Sequence, residues 1–341
     1  MKTARKLLAF ALVLSMAALA GCGSSPASSG SAASTPEQSD SLNVSNKIFS
    51  VGSGPSGSLY INYTAAWSDL MMRQISGLNM IVEPGGSTQN PMAITAGDME
   101  FGIASSLQVY PGYYGIGWAD GEKYDQVRNL FPCYSVEGLF FTIEGSPINS
   151  IYDLEGKLIS LGYAGGGSDT VGRELLDYFG ITPKEYVGGS WTDVGGMLKD
   201  GLIDAVFYLA GNPASFIQEL EINTELKYIP IGDDNLKQFV QANPAYAIGV
   251  LPANTYKHQT SDYASVQGWN FIMCSIDLPE DLIYEMTKTT WENIDDIHRA
   301  HSSFVQTQLE NVKYSVIPLH PGAERYYTEI GVELPDYPPA P

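Results

Sequence analysis

Two glycine turns that run into a serine are the part of this chain with the clearest chemistry. The first is Gly52-Ser-Gly-Pro-Ser-Gly57 followed by Ser58, and the second is Gly162-Tyr-Ala-Gly-Gly-Gly167 followed by Ser168, Asp169 and Thr170. After the first turn, Tyr60, Tyr63, Trp67, Leu70 and Met71 recur at helical spacing, as do Val171, Leu175 and Phe179 after the second. Each serine therefore stands at the head of a helix. A helix start offers unpaired N–H groups and the positive end of the peptide dipoles, a ready site for an anion. The hydroxyls of Ser58, Ser168 and Thr170, with the backbone at Gly167, could hold a carboxylate; the same serines could equally cap their helices. Asp169 reads as a first-turn charge.

Other candidates lie where strands should end. Ser87 and Asn90 follow Gly85-Gly86 after the run Met80 to Glu83, and would bind solute or cap a helix from Pro91. Ser105 and Ser106 close the run from Phe101, and Asn212 follows the run to Leu209. Open α/β sheets place ligands at such strand ends. Tyr60, Tyr134, Tyr163 and Tyr208 are candidate aromatic walls among 21 tyrosines. Arginine is scarce past the leader, and Arg173 lies one turn into its helix, so helix starts rather than an arginine clamp would carry an anion. On this reading Ser168→Ala combined with Asn212→Ala weakens solute affinity by about 1–3 kcal/mol and leaves apo melting nearly unchanged.

Several chemistries are excluded. There is no G-x-S-x-G nucleophile elbow. His258, His298, His301 and His320 come late, outside the turns; His298 and His301 beside Asp295 and Asp296 read as a solvated helix end, not a metal site. Residues 52–57 fit the dinucleotide pattern G-x-G-x-x-G, with Glu83 ending the next run. The export leader and the recurrence of the turn argue against that use. No cofactor, metal or catalytic activity is expected. A net charge of −20 leaves no basic face for nucleic acid.

The turns need matched scaffolds, and the chain supplies them. Ser50 falls on Ser160, Gly52 on Gly162, Gly57 on Gly167 and Ser58 on Ser168, all at an offset of 110. Further on, Met92 to Gly97 with Glu100 and the run from Phe101 parallels Met197 to Gly201 with Asp204 and the run from Ala205. Strands alternating with helices predict mostly parallel sheets. Two such halves predict an α/β protein of two lobes, each sheet flanked by helices, with a ligand cleft between them. Residues 47–145 form the first part of lobe 1, with the crossing at Gly145-Ser-Pro147. Residues 146–267 form lobe 2, and 268–335 return to lobe 1. In that return, Leu282, Ile283, Met286, Thr290, Ile294 and Ile297 describe one amphipathic helix. The tail 336–341 should be frayed.

The leader fixes the compartment. Lys2, Arg5 and Lys6 precede the apolar run Leu7 to Ala20, which reads as a signal peptide over 1–21. The run ends in Leu19-Ala-Gly-Cys22, similar to a bacterial lipobox, which makes Cys22 the acylated anchor. Cys22→Ser should abolish incorporation of labelled palmitate; unchanged incorporation would refute the anchor. Residues 22–46, rich in Ser, Ala, Gly and Pro, read as a tether. Cys133 and Cys274 sit in apolar runs, either as a disulfide or as two buried thiols.

Six ordered motifs resemble the TAXI solute receptors, the extracytoplasmic subunits of one class of tripartite ATP-independent (TRAP) transporters. They are Val51 to Tyr60, Glu83-Pro-Gly-Gly-Ser-Thr-Gln-Asn90, Ser150 to Lys157, Gly162 to Thr170, Ala210-Gly-Asn-Pro213 and Leu278 to Lys288. The resemblance implies a type II periplasmic-binding fold, no catalysis, a small organic acid or acidic amino acid as solute, and docking to a TRAP permease at the bacterial membrane. Asn212 stands where the family usually has His, Leu59 replaces one aromatic of a Tyr pair, and Gly166 stands where Ser is common. The competing function is an extracellular sensor or adhesin that uses the same clamshell without a permease.

Overall fold

Runs such as Phe101–Ser105 and Ala205–Ala210 are apolar on both faces, as a strand covered by helices on both sides must be. In the computed structural model they join one sheet of ten strands in the order β2-β1-β3-β10-β4-β7-β5-β6, with β8 added to β4 and β9 to β10. Residues 42, 44, 47–54, 58–338 and 340–341 are described. The signal peptide, Cys22 and most of the tether lie outside the described residues. No helix among the described residues is long and apolar enough to cross a membrane.

The first half runs β1 (Ile48–Gly52), α1 (Leu59–Gln74), β2 (Asn79–Glu83), α2 (Gln89–Ala96), β3 (Phe101–Ser105) and α3 (Ser106–Tyr114) into the long β4 (Val127–Ile143). The second half runs β5 (Leu158–Ser160), α4 (Gly167–Tyr178), β6 (Glu185–Tyr186), α5 (Trp191–Lys199), β7 (Ala205–Ala210), α6 (Ser215–Glu221), β8 (Leu226–Tyr228), α7 (Asp233–Ala242) and β9 (Ala247–Leu251). The long β10 (Tyr263–Ser275) then returns, followed by α8 (Glu280–Glu292), α9 (Ile294–Ala300) and α10 (Pro321–Glu329). β1 pairs in parallel with β2 and β3, and β5 in parallel with β6 and β7.

The two long strands stitch the halves into a two-lobed α/β fold. β10 pairs with β3 through Asn270–Cys274 and with β9 through Tyr263–Gln267. β4 follows β10 up to Glu137 and pairs with β7 from Glu137 onward. Both strands therefore change lobe at the Glu137–Gln267 pair. The first crossing lies inside β4, earlier than the Gly145-Ser146-Pro147 turn read from the sequence. The correction has a simple cause: a continuous apolar strand carries no local mark where its partner changes.

The repeat is visible in side chains as well as order. Glu100 Oε2 accepts from Ser50 N at 2.9 Å and Asp204 Oδ2 accepts from Leu158 N at 2.8 Å. In each lobe an acidic residue ahead of a core strand thus ties off the opening strand. Gly97 ends α2 in the left-handed region (φ 78°), and Gly201 follows α5 at φ 69°.

Three other expectations need correcting. Val44 is buried in the first core and Leu42 packs on it, so packing begins before Lys47. The amphipathic stretch 282–297 is two helices, broken at Asn293. The tail is held: Tyr337 Oη accepts from Leu319 N at 3.0 Å, and Ala340 and Pro341 line a groove beside α4. Cys133 and Cys274 are free buried thiols; burial pushes both well above the ordinary thiol range.

Candidate functional site

The starts of α1 and α4 border one cavity of about 590 Å³. Lobe 1 contributes Ser58, Leu59, Tyr60, Tyr134, Val136, His301 and Ser303; lobe 2 contributes Leu161, Tyr163, Gly166, Gly167, Ser168, Trp191, Tyr208 and the stretch Leu209 to Ser215, Asn212 excepted. Behind it run β4 and β10 where they change lobe. The first-turn N–H groups of α4 have no partner within their own helix, so this wall carries partial positive charge.

Of the residues chosen from sequence, Ser58, Tyr60, Tyr134, Tyr163, Gly167, Ser168 and Tyr208 meet at this cavity. Their individual settings differ from expectation. Ser58 occupies the cap position of α1 but makes no capping bond, and its Oγ is buried without a partner among the described residues. Ser168 lies one residue inside α4, whose cap is Gly166, and its Oγ accepts from Leu209 N at 3.0 Å. Tyr60 Oη donates to Asn270 Oδ1 at 2.6 Å and pairs with Ser87 Oγ at 2.9 Å, so it serves as wall rather than as a hand for solute. Tyr134 is only 3% exposed and lines the cavity. Burial holds this phenol well above its ordinary range, which keeps it a neutral donor.

The remaining candidates are turned elsewhere. Ser87 Oγ accepts from Ser105 N at 3.2 Å. Asn90 is fully buried; its Nδ2 donates to Ser53 O (2.9 Å) and Ile103 O (2.8 Å), and its Oδ1 accepts from Gly86 N (3.2 Å). Ser105 caps α3 through Leu107 N, and Ser106 Oγ donates to Ala245 O and accepts from Trp269 N. Thr170 bonds back to Gly166 O and lines the groove beside α4. Arg173 pairs with Asp169 at 2.7 Å and stacks 3.9 Å over the Tyr186 ring, away from the cavity. These residues were chosen for strand-end or helix-start position, which fixes where a backbone ends but not which way a short side chain turns.

Asn212 is the main reassignment. Its Nδ2 donates to Glu137 Oε2 at 2.9 Å, and its Oδ1 accepts from Tyr256 Oη at 2.5 Å. Glu137, 6% exposed, also takes Gln267 Nε2 at 2.8 Å and the hydroxyl of Ser135. A buried carboxyl with no ion-pair partner among the described residues is thus satisfied by three uncharged donors at the lobe crossing. Asn212→Ala removes one donor and leaves the Tyr256 O–H without its acceptor, although Tyr256 Oη still accepts from Ala214 N. It should lower urea-unfolding stability by about 1–3 kcal/mol. Unchanged stability with lost solute affinity would restore the binding role.

Trp191 and His301 are among the wall residues that escaped sequence reasoning. Trp191 begins α5 and sits over Gly162 so closely that a Cβ there would fall 2.5 Å from the indole. Its ring meets Tyr208 edge-on at 4.4 Å. A signal existed: Gly188-Gly-Ser-Trp191 is a third glycine turn ahead of a helix. His301 follows α9 and reaches the cavity, contrary to its reading as a solvated helix end. Its Nδ1 accepts from Ser303 N at 3.1 Å, which assigns the ring proton to Nε2.

Two larger hollows lack these features. One of about 830 Å³ lies along the flank of α4 that carries Thr170 and Arg173, and the chain's own Ala340 and Pro341 lie in it. The other, about 790 Å³, lies within lobe 2 beside β8 and β9. Neither is bordered by both helix starts.

Residues 51–331 match the NMT1-like family. A TctC solute binding protein from Polaromonas, solved without ligand, superposes with a TM-score of 0.52 at 11% identity, over 74% of this chain and 86% of that one. A Xanthomonas citri protein solved bound to ATP superposes with a TM-score of 0.51 at 13% identity, over 83% of this chain and 95% of that one. At these identities the likeness concerns the fold.

Proposed function

The chain belongs to the NMT1-like family, and from that premise we propose that it is an extracytoplasmic receptor that closes two lobes on a small organic acid. The carrying observation is the pair of helix starts, one per lobe, facing a single cavity at the point where both connecting strands change lobe. Such a cleft binds by closure. No step of chemistry is needed, and the receptor is non-catalytic.

The cellular setting extends the proposal. Cys22 tethers the receptor to the outer face of the bacterial membrane, and a TRAP-class permease receives the solute, as the six motifs suggest. Thermal-shift screening of the tag-free mature protein against organic acids and amino acids tests the receptor itself, followed by mass spectrometry of co-purified molecules. A true solute at 100 times its Kd should add about 2.7 kcal/mol of stability. A full screen with no stabilising acid, and no bound small molecule, would reject the proposal. Co-elution of the receptor with permease subunits tests the partner separately.

A further inference from the structure

We infer that the solute is a monocarboxylate with an aromatic or branched apolar body, not a dicarboxylate or an acidic amino acid. This rests on the receptor reading of the cleft. The side chains around the cavity are rings and aliphatic groups, with Tyr134, Trp191, Tyr208, Leu59 and Leu161 the largest; no Lys, Arg, Asp or Glu lines it among the described residues. Burying an ionised group costs several kcal/mol unless it is paired or hydrogen-bonded.

The cavity provides for one negative charge. The α4 start offers N–H groups at Gly167 and Ser168, the Ser58 hydroxyl is buried and unpartnered among the described residues, and the Tyr134 hydroxyl and His301 Nε2–H are further donors. A second carboxylate would face rings. An ammonium group would find no carboxylate, since Asp169 is taken by Arg173 and Gly165 N, and Glu137 is taken by its three donors. What remains fits a flat or branched hydrocarbon between Tyr134 and the Trp191–Tyr208 pair.

Isothermal titration of the mature protein decides the point, with 3-phenylpropionate, 4-methylpentanoate, 3-phenylpropanamide, glutarate and L-glutamate as probes. At least one of the two monocarboxylates should bind. Glutarate and glutamate should bind at least about 100-fold more weakly, and the amide about 10-fold more weakly than its acid. Tyr134→Phe should weaken the bound monocarboxylate roughly 10-fold. Binding of glutarate or glutamate in preference to both monocarboxylates overturns this inference and leaves the receptor intact. Equal binding of amide and acid overturns the anion assignment. Failure of every probe, with no small molecule carried through purification, overturns both.

Discussion

Asn90→Ala should cost about 3–5 kcal/mol of folding stability, the largest effect expected of a single substitution outside the apolar core. Its carboxamide fills a space made by three glycines: a Cβ at Gly52 or Gly85 would fall 2.5 or 2.0 Å from Oδ1, and one at Gly102 would fall 3.0 Å from the Asn90 Cβ. From there it bonds three backbone groups, at Ser53, Ile103 and Gly86. Truncation strands two carbonyls and one N–H in a site closed to water. Because Ser53 is close in sequence to Ser58, which borders the cavity, the variant should also lose solute affinity. Urea unfolding of the apo protein measures the first effect. A loss below about 1 kcal/mol would mean that water or backbone relaxation replaces the amide.

Gly211→Leu should reduce solute affinity at least about 100-fold, or about 2.7 kcal/mol, while apo stability stays close to wild type. Gly211 lies on the lobe 2 wall, and a Cβ there would meet the Tyr134 ring at 3.4 Å and Leu59 at 3.6 Å, both on lobe 1. Those are ordinary contact distances, so Gly211→Ala should bind nearly as wild type. A leucine extends beyond them into the cavity and props the lobes apart. Titration of both variants with the same acid checks the pair. Normal affinity in Gly211→Leu would place the solute elsewhere.

The outline was legible because it is written in local patterns. The apolar runs of β1, β3, β5 and β7, the helical spacing after Ser58 and Ser168, and the repeated turn are each set by a few neighbouring residues. The meeting of the two helix starts followed from the repeat. Side-chain commitments were not legible. Asn90 and Asn212 look alike in sequence, each a polar residue near a strand end. Their partners at Ser53, Ile103, Glu137 and Tyr256 come from far along the chain. His301 carried no local mark, since a short 3-10 turn after α9 delivers it to the cleft. The crossing at Glu137 was hidden for the same reason: a strand reads the same on both sides of a change of partner.

The most direct test is a crystal structure of the mature protein grown with the acid that stabilises it. The account predicts the acid between the lobes, its carboxylate against the N–H groups of Gly167 and Ser168 and its apolar body against Tyr134 and Trp191. An acid seated in the groove beside Tyr178 and Tyr246, or on the outer face of lobe 2, with nothing between the two helix starts, would contradict it.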